Sequence, residues 1–144
     1  MAVYLHEEDL PEGVLGPGAV AVDTETMGLI TPRDRLCLVQ ISDGGGDEHL
    51  VRFSPASAYA APNLKAVLAD PARVKLYHFA RFDLAAIEHY LGVTAAPVFC
   101  TSAKSRTASR PDSRTSGAWR CSKSRIRSAC TLAFKGRQLK VLGQ

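Results

Sequence analysis

At 144 residues, 22% of them charged, the chain is long enough for one hydrophobic core and too short for two full domains. No apolar run reaches the roughly 18 residues a membrane-spanning helix needs, and Val3, Tyr4 and Leu5 are followed at once by Glu7, Glu8 and Asp9, unlike an export signal. A cytoplasmic protein with no membrane partner is expected, and the oligomeric state is left open.

The net charge of +4 hides a segregation. Residues 1–100 carry 7 Lys/Arg against 13 Asp/Glu, net −6, whereas residues 101–144 carry 11 Lys/Arg and only Asp112, net +10. Cys37, Cys100, Cys121 and Cys130 form no Cys-x-x-Cys pair. Free thiols and no zinc are expected.

In chain order, Val3–Leu5 reads as a short strand and 14–18 as a Gly/Pro turn. Val20–Glu25 and Arg35–Ser42 follow as core strands, the second so continuously apolar over Leu36–Ile41 that both of its faces are expected to be buried. Asp43-Gly44-Gly45-Gly46-Asp47 predicts a hairpin into a strand at 48–53. A short amphipathic helix is expected at 61–68 through Leu64, Val67 and Leu68, ending at Asp70-Pro71. Then come a strand at Val74–Phe79 and a helix at Ala80–Leu91, whose Leu84, Ile87 and Leu91 share one face and whose stop is Gly92. Val98–Thr101 gives one more strand. Periodicity alone yields an α/β protein with a mixed sheet.

Asp23 and Glu25 close the first core strand. Side chains at i and i+2 of a strand share a face, so the two carboxylates project together. Anions held that close raise each other's pKa unless a cation separates them. Mg²⁺ or Mn²⁺ suits such oxygen ligands and completes its shell with water and phosphate. The alternative is a strand ending in a solvated acidic turn. Asp83 falls in the first turn of the second helix, where the helix dipole favours a carboxylate and a purely structural role is possible. If the two strands are neighbours, Asp83 joins the pair.

Val22-Asp23-Thr24-Glu25-Thr26-Met27-Gly28-Leu29, then Arg35-Leu36-Cys37-Leu38-Val39-Gln40-Ile41-Ser42, then Tyr77-His78-Phe79-Ala80-Arg81-Phe82-Asp83 resemble, in this order, the ribonuclease D branch of the DEDD 3′–5′ exonucleases. The resemblance covers roughly residues 3–101, about two thirds of the chain. It implies a ribonuclease H-like mixed sheet with flanking helices, incomplete at the C-terminus, and makes residues 1–101 the N-terminal part of such an exonuclease domain.

It also implies a two-metal hydrolysis at single-stranded RNA 3′ ends, with ions about 3.5–4 Å apart. Asp23 would bridge both ions, Glu25 would hold the one that activates water, and Asp83 would support the other. Thr26, Met27, Gly28, Leu29, His78 and Phe82 would face the substrate. Met27, Leu29 and Phe82 would form walls against the terminal base, or equally belong to the core, which is the favoured reading for Phe82, and His78 most simply fills a strand end.

Residues 102–144 form a basic tail with no sustained apolar period, expected to be disordered. It reads either as an arm that grips RNA phosphates or as the product of a frameshift near Thr101–Ser102. Members of the resembled family carry a third motif, Tyr-x-x-x-Asp, with another metal-binding carboxylate. No Tyr follows Tyr90 here, and the residue four before Asp112 is Ala108. The resemblance therefore leaves three readings: an exoribonuclease, an inactive fragment of one, or an RNA-binding protein that uses its basic tail.

Overall fold

The structure is a computed structural model that describes residues 2–101; the expectations for the basic tail lie outside the described residues. Six strands form one mixed sheet in the order β1-β4-β3-β2-β5-β6. They are β1 (Val3–Glu7), β2 (Val20–Thr26), β3 (Leu36–Ser42), β4 (Glu48–Arg52), β5 (Lys75–Tyr77) and β6 (Val98–Cys100). Two α-helices, α1 (Pro62–Ala69) and α2 (Arg81–Ala86), join them, and α2 runs on into a π-helical turn at Ile87–Leu91. The α/β class and the mixed sheet hold as expected from the sequence.

Strands β2, β3 and β4 form an antiparallel meander, because the short hairpin at 43–47 allows only that sense. Gly44 and Gly46 take left-handed backbone there, at φ 79° and 109°. β1, β5 and β6 add in parallel at the two sides. On β2, Val20, Val22 and Thr24 point into the core, so Asp23 and Glu25 point to the other face.

The core gathers Val20, Val22, Leu36, Val39 and Ile41 of the sheet with Leu64 and Leu68 of α1 and Ile87 and Leu91 of the π-helical turn. Burying each such side chain contributes roughly 1.5–3 kcal/mol. α1 has no capping side chain of its own, and its N-cap Ala61 is left-handed at φ 34°. Asp9, distant in sequence, accepts from the N–H groups of Asn63 and Leu64 at 2.9 Å each and caps the helix instead.

Three expectations are corrected. β3 is not buried on both faces: Leu36, Val39 and Ile41 are buried, while Cys37, Leu38 and Gln40 are only partly covered. Its register with β2 shifts between Glu25 and Thr26, where Glu25 faces Leu38 and Thr26 faces Leu36. The extra residue is a bulge that returns Leu36 to the core face. β5 stops at Tyr77, because Phe79 turns left-handed at φ 59° and breaks the extended run. The second helix divides at Ile87 into α and π parts and ends, as expected, at Gly92, left-handed at φ 65°.

Lys75 lies fully buried in β5 and donates from Nζ to the carbonyls of Asp70 (2.7 Å) and Ala96 (2.5 Å). It thereby ties the end of α1 to the approach to β6. Burial, the main cause, holds its pKa below the usual lysine value. Among the described residues no helix is long and apolar enough to cross a membrane.

Candidate metal centre

β5 pairs with β2 only at Val20 and Ala21. The Val20 N–H points to that side, to the carbonyl of Val74 at 2.9 Å. Alternate residues of a strand send their N–H groups to the same edge, so the Thr24 N–H faces the edge that β5 leaves uncovered. α2 meets it there. Asp83, in the first turn of α2, accepts through Oδ1 from Thr24 N at 3.0 Å and from Thr24 Oγ1 at 2.8 Å. Asp83 is therefore docked on the residue between Asp23 and Glu25. A short strand β5 is what makes this possible, since a longer one would have taken the same N–H.

The three carboxylates differ in exposure. Asp83 is buried, Asp23 half-buried and Glu25 exposed. Burial pushes the Asp23 carboxyl up to about 6, and the charges of Asp83 and Glu25 push the same way. The Thr24 backbone N–H and His78 oppose them. Asp83 is also raised, by burial first, with the Thr24 donors opposing and the Glu25 charge adding. The cluster repels itself, and the charge of His78 offsets only part of that repulsion.

Among the described residues no three His, Cys, Asp or Glu side chains close around one ion. The set fits instead an open site, in which one or two carboxylates hold a hard divalent cation and water and phosphate complete the shell. One oxygen of Asp83 is already engaged by two donors, so this carboxylate has a fixed orientation before any ion arrives.

The loop after β2 carries the expected substrate-facing residues. Leu29 is 83% exposed and Met27 68%, more than their apolar side chains require. The loop is braced from within. Asp34 accepts from the Ile30 N–H at 2.9 Å and pairs with Arg33 through Oδ1 at 2.7 Å and Oδ2 at 2.8 Å. The Arg33 guanidinium and the Ile30 N–H hold the Asp34 carboxyl down to about 2. Tyr90, from the π-helical turn, donates its hydroxyl to the Thr31 carbonyl.

Gly28 lies against Asp34 so closely that a Cβ there would stand 2.4 Å from Asp34 Oδ2. Thr26 donates from Oγ1 to the Gly28 carbonyl at 2.5 Å. Thr26 and Gly28 thus shape the loop, while Met27 and Leu29 offer surface. Phe82 is half-buried. His78 is exposed beyond the end of β5, its Nδ1 2.8 Å from Thr101 Oγ1, and its charge reaches Asp23.

Sequence reasoning missed the brace at Asp34 and the turn at Phe79. Arg33-Asp34-Arg35 looks like ordinary loop charge, and only contact with Gly28 reveals its brace. Phe79, 68% exposed, reads as strand interior until its left-handed backbone is seen.

A family model described as 3′–5′ exonuclease matches residues 6–122. No curated protein matches the chain. Among solved structures, a nuclease in its apo form is 48% identical, with a TM-score of 0.66 over 69% of this chain and 48% of that one. Brucella melitensis NrnC is 44% identical, also with a TM-score of 0.66, over 69% of this chain and 49% of that one. Trypanosoma brucei RNase D in complex with RNA U12, at 22% identity and a TM-score of 0.51 over 67% of this chain and 37% of that one, shares the fold. The chain spans about half the length of the first two relatives.

Proposed function

The chain belongs to the 3′–5′ exonuclease family, in the DEDD group with a ribonuclease H-like fold, and from that premise we propose that Asp23, Glu25 and Asp83 are its metal-binding carboxylates, for trimming single-stranded RNA from the 3′ end. The observation that carries this reading is the docking of Asp83 on Thr24, which gathers three acids into one self-repelling cluster. Structures of Brucella melitensis NrnC with bound Mg²⁺ and bound to pGG support the same chemistry here. Mg²⁺ or Mn²⁺, when bound, supplies an activated water and neutralises the leaving oxygen of an in-line displacement.

The chain's own residues orient the reaction. Asp23 and Glu25 share one face of β2. Asp83 is held at the adjacent edge by both Thr24 donors, so its geometry is set in advance. Leu29 and Met27 give apolar surface for the terminal base, on a loop stiffened by Asp34. The charge of His78 reaches Asp23, which suits a contact with the substrate phosphate.

A second reading has one specific observation in its favour. No Tyr-x-x-x-Asp lies in residues 102–144, and loss of one metal ligand typically costs orders of magnitude in rate. In this reading the 144-residue chain binds Mg²⁺ and RNA and hydrolyses weakly or not at all. The basic residues after Thr101 then act as a phosphate-gripping arm.

One set of measurements separates them. Mg²⁺ binding, by thermal shift and calorimetry, is compared between the full chain and Asp23→Asn, alongside trimming of a 5′-labelled short RNA. Mg²⁺ stabilisation that Asp23→Asn abolishes is expected. Trimming that is lost with it favours the exonuclease, and RNA binding without trimming favours the second reading. No Mg²⁺ effect on the wild-type chain overturns the site.

A further inference from the structure

β1 is an outer strand of the sheet and pairs on one side only, with β4. The Glu8 N–H donates to the Arg52 carbonyl at 2.9 Å, and alternate residues of a strand send their N–H groups to the same edge. The Tyr4 and His6 N–H groups therefore face β4 as well. Apolar burial does little to hold this strand, since Val3 is 50% exposed and Leu5 53%. Glu7 pairs with Arg52, but both side chains are exposed, and such pairs contribute little.

The part-buried link is a pair of histidines. His6 Nε2 lies 3.0 Å from His49 Nδ1, with ring centres 5.2 Å apart and ring planes 18° apart. The two nitrogens thus lie between the ring centres and share one proton: one ring donates an N–H and the other accepts with a lone pair. A protonated imidazole carries N–H on both nitrogens. With both rings protonated, two donors and two positive charges meet where one hydrogen bond stood.

The surrounding groups do little to relieve that state. Tyr4 lies against His49, ring centres 5.4 Å apart. Asp43 and Asp47 of the hairpin line a cleft of about 340 Å³ together with both histidines. Asp43 already accepts from the Gly16 N–H at 2.6 Å and the Gly45 N–H at 2.8 Å, and Asp47 from the Ala2 N–H at 3.0 Å. Glu8 accepts from the Ser54 N–H and the Ser57 hydroxyl. The charge of Asp43 reaches His49. Burial, and next the charge of His49, hold the His6 pKa below the ordinary histidine value.

We propose that His6 and His49 form a proton-operated clasp on β1, closed while at least one ring is neutral and open when both carry a proton. The native state binds the proton on His6 less tightly than the unfolded chain does. The clasp therefore contributes fully above about pH 6.5 and fades as pH falls through the lowered His6 value. This sense is opposite to that of the raised Asp23 carboxyl, so a global melting curve sums the two and the readout must be local. Asp9, two residues beyond β1, caps α1, so a loosened β1 also loosens the start of that helix.

The test is amide exchange of the full-length chain, read as protection factors at about pH 7.5 and about pH 5.5. Protection at Tyr4 and His6 is expected to fall at least about threefold at the lower pH relative to Val39 and Ile41, the scale of coupling within one hydrogen-bond network. His6→Gln supplies an amide that donates and accepts without titrating, and is expected to abolish the fall. No fall in the wild-type chain, or an equal fall in His6→Gln, overturns the clasp. An NMR titration of the two imidazoles needs no variant: the clasp predicts coupled steps, and two independent single-step titrations overturn it. A fall at β1 that leaves Asn63 and Leu64 unchanged overturns the reach to α1.

Discussion

Asp23 carries the sharpest single-residue consequence. Its carboxyl, pushed up to about 6 by burial and by its acidic neighbours, lies above the roughly 3.9 of an unfolded aspartate. The native state therefore binds this proton more tightly than the unfolded state does. Stability from this group is complete below about pH 4 and is lost as pH rises through about 6, a total of roughly 3 kcal/mol for a shift near two units. Asp83, also raised, adds in the same sense. Asp34, held down to about 2, has the opposite sign: its contribution is present above about pH 4 and fades only as pH falls towards 2. The two windows do not overlap. In chelator, the melting temperature is expected to fall by several degrees between about pH 4 and pH 7, and the fall should shrink strongly in Asp23→Asn. Mg²⁺ should restore the loss at neutral pH, since a cation removes the repulsion. A flat profile between those limits would show the cluster to be already neutralised.

At the scale of elements, the strands and helices were largely legible, because period-two and helical patterns follow directly from burial. Asp23 and Glu25 were readable as a same-face pair for that reason. The link between Thr24 and Asp83 was not. It depends on β5 stopping after two paired positions, and strand length is set by the turn at Phe79 rather than by any apolar pattern. The bulge near Cys37 and the π-helical turn escaped for a similar reason, since one inserted residue changes geometry without changing composition. The loop after β2 was expected to face the substrate, but its internal brace was not legible. Its brace makes a direct prediction. Gly28→Ala places a methyl group 2.4 Å from Asp34 Oδ2, so the carboxylate must leave Ile30 or the loop must shift. A destabilisation of about 1–3 kcal/mol, as for overpacking, is expected by denaturation, with weaker binding of short RNA. Lys75→Met makes a second one. It removes the donor to the Asp70 and Ala96 carbonyls and should also cost about 1–3 kcal/mol through unsatisfied acceptors. Equal or greater stability of Lys75→Met would show that water takes over both carbonyls.

At the scale of the whole molecule, charge is divided along the chain. Residues 1–100 carry a net −6 and residues 101–144 a net +10. The acidic part holds the catalytic carboxylates of the proposed site and, without a cation, repels the phosphates it would cleave. Attraction for nucleic acid must then come from bound metal, from the basic segment, or from both. These sources respond differently to salt. Metal coordination to a phosphate involves few released counterions, whereas each Lys or Arg that neutralises a phosphate on a single strand adds about −0.7 to the slope of log K against log salt. If about half of the eleven Lys/Arg after residue 100 engage phosphates, the slope is roughly −4. Replacing these eleven residues with Gln should flatten the slope and remove most binding in chelator. Asp23→Asn should leave chelator binding unchanged or slightly stronger, because one like charge leaves the phosphate path. Fluorescence anisotropy of a short RNA across a salt series measures both. A slope unaffected by the Gln replacements would place phosphate recognition within residues 1–100, where Arg33, Arg35, Arg73 and Arg81 would have to outweigh the surrounding acids.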